Sequence, residues 1–480
     1  MVRLGSGIHP HAGTNVTNDA IVVIPGIMGS RLVEATSGRI LWGIGRIVQY
    51  ILRWRQGEGL KALAVTEDER AGRVGRVRPD GLLRTPEWAP SLGGLEPYTR
   101  LVQRLRSVVV HPDAVLEFAY DWRLSVEFNA GLLATAAARH LEMWREHPAR
   151  LQACRARGDE APPRLVLVAH SMGGLLAAAM CARFPEVAAE VRDTVTLGTP
   201  FAGSVKAAMM LNAGRGAPVP LSRELLRDAA RTMPGVHDLL PSYRCLVVDD
   251  DVVAPTARDA ESWGADSELA EQAMRLHERL GPSVLPGHRA VAGYGQRTDQ
   301  SLRLRDGVLQ ALPYGFRRRP NGELVRDETG RAVPIDHTGD GTVFRYSAAP
   351  PGTRDITLVQ QHGALARTDA AIDIVCGAVT RAEPGAVLGE PPMDLRVPDE
   401  AAAGEPFEIL VGRVAEAGRV SCVIEDALRA DRIVARPLLK RTGGGSQDLA
   451  ARVTMHEVGL FRVKVSAGGD PVTQLVLVQG

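Results

Sequence analysis

Hydrophobic residues in the first 380 positions alternate between short continuous runs and longer stretches with helical spacing. The runs Ile21–Ile24, Leu165–Ala169 and Thr194–Leu197 are bounded by turn residues, which is typical of strands buried on both faces. The stretches between such runs, for example Asn129–Arg145 and Leu175–Ala182, have the apolar spacing of helices. Strands and helices that alternate in this way predict an α/β fold with a mostly parallel sheet.

Residues 205–330 interrupt this alternation. The segment is polar, contains Gly and Pro breaks, and shows few strands before His288–Gly293. Because an insertion of this length is too long for a simple loop, we predict a mostly helical cap on the α/β core.

The pattern changes again after residues 381–392, a Pro/Gly-rich stretch that predicts a linker. Beyond it, apolar and polar residues alternate in short segments that Gly and Asp turns separate. This pattern predicts an immunoglobulin-like β-sandwich over residues 393–480, next to an α/β domain over residues 1–380. The predicted sandwich contains no catalytic grouping, and we expect it to bind a protein or glycan partner.

Composition narrows the class of protein. The 480 residues are 45% hydrophobic and 24% charged, and 57 basic residues balance 56 acidic ones, so no global field attracts nucleic acid. The five widely spaced cysteines match neither a disulfide framework nor a C-x-x-C metal site. Because we find neither an apolar signal segment nor a transmembrane-length run, we expect a soluble cytoplasmic protein.

The strongest chemical signal is the HSMGG motif at residues 170–174. A buried strand leads into this motif and a helix of small residues follows it, which is the setting of a nucleophile elbow with Ser171 exposed on a tight turn. Small residues at Ala169 and Gly173 avoid a clash with the turn, and the N–H of Met172 would face a developing oxyanion. The alternative is a chance serine in an ordinary strand–helix turn.

A nucleophilic serine needs a histidine base and an acid that orients the histidine. Asp340 lies in a loop flanked by glycines, and His362 follows the predicted strand Ile356–Val359. Because loops that follow parallel strands meet at one edge of the sheet, both residues can converge on Ser171. Other histidines remain alternative bases: His237, His288 and His337.

A metal cluster of Asp336, His337 and Asp340 fits no liganding pattern, so we expect no metal. The loop IPGIMGS at residues 24–30 follows the first strand and would supply the second oxyanion donor. We expect the N–H of Ile27 in that role, with Met28 as the alternative, and Gly26 as the residue that permits close approach. Nucleotide-binding glycine motifs are missing from the sequence, so we expect no cofactor.

Six motifs follow one another in a characteristic order: IPGIMGS (24–30), AYDWR (119–123), HSMGG (170–174), GTPFAGS (198–204), GDGTV (339–343) and QH (361–362). Together they resemble the lecithin:cholesterol acyltransferase family, which includes lysosomal phospholipase A2 and phospholipid:diacylglycerol acyltransferase. The resemblance covers residues 20–377 and not the predicted sandwich. It implies an α/β-hydrolase fold and acyl-ester chemistry on lipids. Ser171 would be the nucleophile, Asp340 the acid, His362 the base, and Ile27 and Met172 the oxyanion donors.

In this family the segment after the first strand forms a lid, which here corresponds to residues 31–95. Between Arg39 and Lys61, five basic residues face one acidic residue, and apolar residues recur on one helical face. Such a helix suits an anionic lipid surface, so we predict a peripheral membrane contact through residues 42–55. The expected lipid contacts are Trp42, Ile47, Ile51 and Trp54. The alternative is a helix packed on the core.

The YDWR segment is expected to support the site through an Asp121–Arg123 pair and a packed Trp122, although a direct substrate contact is the alternative. The combined prediction is a serine-dependent lipid acyl-ester hydrolase or O-acyltransferase acting on a glycerophospholipid. Two alternatives remain open: a soluble carboxylesterase for small esters, and an inactive lipid-binding scaffold.

Overall fold

The structure is a computed structural model of the chain. It describes residues 16–43, 58–84, 98–158, 161–215, 222–281, 285–306, 308–319, 323–350, 353–382, 393–414, 417–429, 432–443, 447–467 and 471–480. Ile47, Ile51 and Trp54 of the predicted lid, and most of the predicted linker, lie outside these residues.

A six-stranded parallel sheet forms the centre of the α/β region. Its strands run in the order Arg354–Leu358, Arg289–Gly293, Val191–Leu197, Leu165–His170, Ala20–Ile24 and Val115–Glu117. Every residue of Ala20–Ile24 and Leu165–His170 is buried, because helices cover both faces of a parallel sheet. The predicted α/β fold with a parallel sheet is therefore confirmed.

Helices flank this sheet, and several of them begin at a residue whose side chain caps the helix. Ser125 starts the longest one, Val126–Arg145, by accepting a hydrogen bond from the N–H of Phe128 at 3.2 Å. The other α-helices within the described residues are Glu58–Lys61, Glu67–Arg70, Thr99–Ser107, Pro148–Arg157, Met172–Arg183, Pro185–Ala188, Val205–Ala213, Arg223–Ala230, Pro234–His237, Ala257–Ser262, Ser267–Leu280, Arg345–Ala348 and Asp369–Thr380. Short 3₁₀ helices span Pro112–Ala114, His362–Ala364 and Ala417–Arg419.

The cap over residues 205–330 contains more strand than we predicted. A four-stranded sheet lies there, in the order Val308–Leu312, Ser301–Arg305, Leu246–Val248 and Asp251–Val253. These strands are three to five residues long, so each gives too little alternation for a sequence signal. Smaller sheets lie outside the central one: Ile40–Trp42 with Ser30–Glu34 and Val77–Leu82, and Gly315–Phe316 with Pro334–Ile335.

The C-terminal region is all-β, as predicted. One sheet contains Asp394–Arg396, Pro406–Gly412, Leu449–Thr454 and Lys440–Arg441; the other contains Glu400–Ala402, Val472–Gln479, Gly459–Ser466, Ser421–Asp426 and Ile433–Ala435. Alternate residues of both sheets, such as Ile409 and Val463, share one hydrophobic core. The immunoglobulin-like class of this region stays a prediction.

None of the described helices is long and apolar enough to cross a membrane.

Candidate active site

Ser171 lies at the carboxyl end of the strand Leu165–His170, where the helix Met172–Arg183 begins. Its backbone has φ +53° and ψ −126°, a region that costs a non-glycine residue about 1–3 kcal/mol and is retained mainly at functional sites. Two glycines make the turn sterically feasible. A Cβ at Gly173 would lie 2.6 Å from the carbonyl oxygens of Ile24 and Pro25, and one at Gly26 would lie 2.8 Å from the Cβ of Ser171.

The structure brings His362 and Asp340 to this serine. The Nε2 of His362 lies 2.8 Å from the Oγ of Ser171, and its Nδ1 lies 2.7 Å from the Oδ2 of Asp340. Because an ionised carboxylate only accepts hydrogen bonds, the proton is assigned to Nδ1, which leaves the Nε2 lone pair facing the serine hydroxyl. The other carboxylate oxygen of Asp340 accepts from the N–H groups of Thr342 at 2.9 Å and Val343 at 2.7 Å.

The alternative bases are occupied elsewhere. The Nδ1 of His237 lies 2.9 Å from the carbonyl oxygen of Met233, and His288 lies 2.8 Å from the hydroxyl of Thr196. The ring of His337 packs edge-on against that of Tyr346, with centroids 4.8 Å apart. The geometry therefore assigns the Ser171 partner to His362.

The expected oxyanion donors flank Ser171. Met172 is the first residue of its helix, so its N–H has no intrahelical acceptor and the helix dipole adds positive potential there. Ile27 and Met28 lie in the loop after the strand Ala20–Ile24, which pairs directly with the serine strand. Both loop residues line the same cavity as Ser171 and His362.

Sequence reasoning missed a buried hydrogen-bond relay behind these groups. The N–H of Gly26 donates to the Tyr98 hydroxyl at 2.9 Å, and that hydroxyl lies 2.9 Å from the Nδ1 of His170. The Nε2 of His170 lies 3.1 Å from the carbonyl oxygen of His362. Burial, with a smaller contribution from nearby His362, lowers the pKa of His170 to about 3, so the ring is neutral. The relay thus links the oxyanion loop to the backbone of the candidate base.

The YDWR segment lies beneath the site and does not line the cavity. The guanidinium of Arg123 is fully buried and donates to both carboxylate oxygens of Asp121, at 2.9 and 2.7 Å, and to Glu69 at 2.8 Å. Burial raises the pKa of Glu69, but hydrogen bonds from Arg123 and from the backbone of Thr66 outweigh it and lower the pKa to about 2. Trp122 is buried and donates to the carbonyl oxygen of Ser30 at 3.2 Å. This geometry favours the supporting role over substrate contact.

Trp42 does not lie on an exposed lid surface as we expected. Its side chain is buried, it packs edge-on against Trp122 with ring centroids 5.5 Å apart, and its indole N–H donates to the carbonyl oxygen of Met28 at 2.8 Å. The expectation of a membrane contact at Trp42 is therefore wrong. The sequence could not separate the two cases, because an interfacial aromatic residue and a buried one have the same sequence signature. Trp42 instead forms part of the cavity wall.

A cavity of about 550 Å³ opens above Ser171, within the usual range of ligand sites. The α/β region contributes polar and charged residues, such as Lys206 and Arg297, and the apolar residues Met28, Trp42, Leu83, Met210, Val236 and Leu239. The C-terminal region contributes residues as well, most of them polar or charged: Asp394, Leu395, Arg396, Val397, Asp399, Arg462, Thr473, Gln474 and Leu475.

In the described part of the chain, one cluster of side chains has the residue types of a metal site. It lies before the strand Val115–Glu117, at the edge of the sheet opposite Ser171. It consists of His111, Asp113 and His147, all at least partly exposed. The Nδ1 of His111 already accepts a hydrogen bond from the N–H of Asp113 at 3.3 Å. The cluster that we considered from sequence is not assembled as a metal site, since Asp340 binds His362 and Asp336 binds Arg413.

Comparison with known families tests the resemblance directly. Residues 66–276 match the family model described as lecithin:cholesterol acyltransferase. The predicted family resemblance is confirmed. The matched segment contains the YDWR, HSMGG and GTPFAGS motifs, and Asp340, His362 and the loop of Ile27 lie outside it. The match supports acyl-ester hydrolysis or acyl transfer in general. No curated protein matches the sequence of the chain.

Among solved structures, the mature form of the Bacillus licheniformis lipase BlEst2 is similar at 12% identity with a TM-score of 0.30, covering 78% of this chain and 96% of that one. The metagenomic carboxyl esterase MGS0156 is similar at 12% identity with a TM-score of 0.24, covering 62% and 58%. The sulfur carrier protein SoxY from Chlorobium limicola f thiosulfatophilum matches 18% of this chain and 79% of its own at 19% identity, with a TM-score of 0.13. These values are too low to indicate a substrate or a reaction.

Proposed function

We propose that the protein is a serine-dependent lipid acyl-ester hydrolase or O-acyltransferase. The observation that carries the proposal is the hydrogen-bonded series Asp340–His362–Ser171 at the floor of the cavity. His362 takes the hydroxyl proton while the Oγ of Ser171 attacks the ester carbonyl carbon, and Asp340 stabilises the resulting imidazolium. The N–H groups of Ile27 and Met172 stabilise the negative charge on the former carbonyl oxygen.

The second half of the reaction releases the acyl group. His362 returns its proton to the leaving alcohol, and an ester between the acyl group and Ser171 remains. Water or an acceptor alcohol then loses a proton to His362 and attacks that ester, which frees the serine. Hydrolysis and transfer use the same residues, so the access of water and of alcohol to the cavity decides between them.

An acyl substrate is favoured by part of the lining of the cavity, and the family resemblance makes a glycerophospholipid the specific proposal. Apolar side chains such as Leu83, Met210 and Leu239 line the same cavity as the serine, and an acyl chain gains about 25 cal/mol per Å² by leaving water against them. The basic, amphipathic pattern of residues 42–55 adds a predicted attraction to anionic membranes. We propose that the remaining residues of this segment, without Trp42, form the peripheral contact with the membrane.

Phospholipid vesicles with an added fatty alcohol test the proposal, with lipid products measured by mass spectrometry for the wild type and Ser171→Ala. Free fatty acid that depends on Ser171 indicates a hydrolase, and a new fatty ester indicates a transferase. Turnover of small soluble esters without turnover of vesicles would support the carboxylesterase alternative instead. A wild type without any turnover, and without labelling by a fluorophosphonate, would support the inactive scaffold.

A further inference from the structure

Two histidines and one aspartate form a cluster at the amino end of the central sheet, away from Ser171. His111 and Asp113 lie just before the edge strand Val115–Glu117, and His147 lies between two helices. Ser171 follows the carboxyl end of its own strand, and the strands of this sheet are parallel, so the cluster and the candidate active site lie at opposite edges. The proposed reaction therefore makes no use of these three side chains.

Packing fixes the positions of the two histidine rings. The ring of His147 stacks on that of Trp144 with centroids 5.0 Å apart, and the buried Trp144 donates its indole N–H to the carbonyl oxygen of Asn18 at 2.8 Å. The centroid of the His111 ring lies 4.9 Å from that of His147. The Nδ1 of His147 is buried, so its Nε2 is the ring nitrogen that faces Asp113. Because the fold holds the rings side by side, little conformational entropy remains to be lost when a ligand binds.

The distances within the cluster match those of a metal site better than those of hydrogen bonds. The Oδ2 of Asp113 lies 3.5 Å from the Nδ1 of His111 and 3.4 Å from the Nε2 of His147, and the three atoms all lie within 4.8 Å of one another. An N–H···O hydrogen bond is usually about 2.7–3.2 Å long. Ligand atoms about 2.0–2.1 Å from a tetrahedral ion are about 3.3–3.4 Å apart. The carboxylate oxygen is therefore close to ligand spacing from both nitrogens.

One hydrogen bond competes with metal binding. The N–H of Asp113 donates to the Nδ1 of His111 at 3.3 Å, which is longer than usual. An ion bound at Nδ1 replaces this bond, and the His111 side chain, 41% exposed, has room to turn toward the ion. Asp113 is itself exposed, so water can accept a hydrogen bond from the freed N–H. The competing bond is therefore weak and its loss can be compensated.

Two imidazole nitrogens and one carboxylate oxygen select a class of ion. Imidazole suits Zn²⁺, Co²⁺, Ni²⁺ and Cu²⁺, whereas Ca²⁺ and Mg²⁺ prefer oxygen ligands. We propose that His111, Asp113 and His147 bind a divalent transition-metal ion of the Zn²⁺ class, with water in the fourth position. The ion ties the segment before the edge strand to the end of the helix Val126–Arg145, and it stabilises the fold without entering the reaction. This inference is independent of the proposed function.

Zinc titration of the full-length protein tests the site, after a chelator has stripped the protein of metal and has itself been removed. Calorimetry should show Zn²⁺ binding to the wild type, and the Tm should rise with Zn²⁺ but not with Mg²⁺. Asp113→Ala and His147→Gln each remove one ligand and should weaken Zn²⁺ binding by more than about tenfold, since even the outer partners of metal ligands contribute about 10–100-fold. The Tm rise should disappear in both variants. Asp113→Ala changes an exposed side chain, so it keeps the test valid if His147→Gln unfolds.

Three controls locate the ion. His456→Ala changes an exposed histidine of the C-terminal region and should keep the wild-type Zn²⁺ affinity and Tm rise. Fluorophosphonate labelling of Ser171 without added metal should proceed at the wild-type rate in Asp113→Ala, so failure of the metal site leaves the proposed function standing. Co²⁺ in place of Zn²⁺ should give no intense near-ultraviolet thiolate band, because the five free cysteines lie outside the cluster.

Three results would overturn the metal site. The first is a wild type whose Tm does not rise with Zn²⁺, or rises equally with Mg²⁺. The second is Zn²⁺ binding that keeps its wild-type affinity in Asp113→Ala and in His147→Gln. The third is a thiolate band with Co²⁺, which would assign the ion to the cysteines instead.

Discussion

Asp340→Asn tests the proposed role of the acid most sharply, because the structure predicts how the amide would be oriented. One oxygen of Asp340 accepts hydrogen bonds from the N–H groups of Thr342 and Val343, so the amide oxygen of the variant must take that position. The amide NH₂ then faces the Nδ1 of His362, which lies 2.7 Å from Oδ2 in the wild type. His362 would have to accept there and carry its proton on Nε2, facing Ser171.

A histidine in that tautomer cannot accept the serine proton. In serine proteases the corresponding change lowers kcat about 10⁴-fold, which is about 5 kcal/mol of activation free energy at 1.36 kcal/mol per tenfold. We expect a loss of this size in hydrolysis of a soluble octanoyl ester. Thermal unfolding should show a folded variant, since the side chain keeps its shape and its two backbone hydrogen bonds.

Asp336→Asn is the matched control. Asp336 lies four residues before Asp340 and binds Gln300 at 2.8 Å, the N–H of Thr338 at 2.7 Å and Arg413 at 2.8 Å, without touching His362. Its variant should keep kcat near the wild-type value. A folded Asp340→Asn variant that keeps kcat within about tenfold of the wild type would refute the tautomer argument.

Three further predictions concern buried groups. Tyr98→Phe leaves the N–H of Gly26 without its acceptor, so the free energy of unfolding, measured by chemical denaturation, should fall by about 1–3 kcal/mol, and kcat should also fall. An unchanged kcat would show that the relay does not affect the site. Glu69→Gln breaks a buried ion pair with Arg123 and should lower the unfolding free energy by about 3–5 kcal/mol at neutral pH. Because the wild-type pKa of Glu69 is lowered from 4.5 to about 2, the difference in unfolding free energy between wild type and variant should shrink as the pH falls through that range. Burial raises the pKa of Asp238 from 3.8 to about 7, so the wild type should lose stability as the pH rises through that range. Asp238→Asn should remove up to about 4 kcal/mol of this loss. Parallel curves of stability against pH for wild type and variant would contradict this role of Asp238.

The three residues of the candidate catalytic group were predictable because each follows a recognisable local pattern. Ser171 lies between a buried strand and a helix of small residues, and His362 follows a strand that belongs to the same parallel sheet. Since the carboxyl ends of parallel strands meet at one edge, a local pattern was enough to predict a long-range meeting.

The remaining features depend on packing between distant segments. Tyr98 and His170 are 72 positions apart, and neither the spacing nor the residue types indicate that a hydroxyl joins Gly26 to His170. Trp42 has the composition of an interfacial aromatic, and only the neighbouring ring of Trp122 shows that it is buried. Leu475 lies in an ordinary strand of the C-terminal region, so its place beside the cavity comes from how the two regions pack.

The central claim is that Ser171 is the nucleophile. Intact-mass and peptide analysis of the protein after reaction with a small fluorophosphonate measures this most directly. We predict one adduct per chain, located on the peptide that contains Ser171, and its complete loss in Ser171→Ala. An adduct on a different residue, or labelling that persists in Ser171→Ala, would contradict the account.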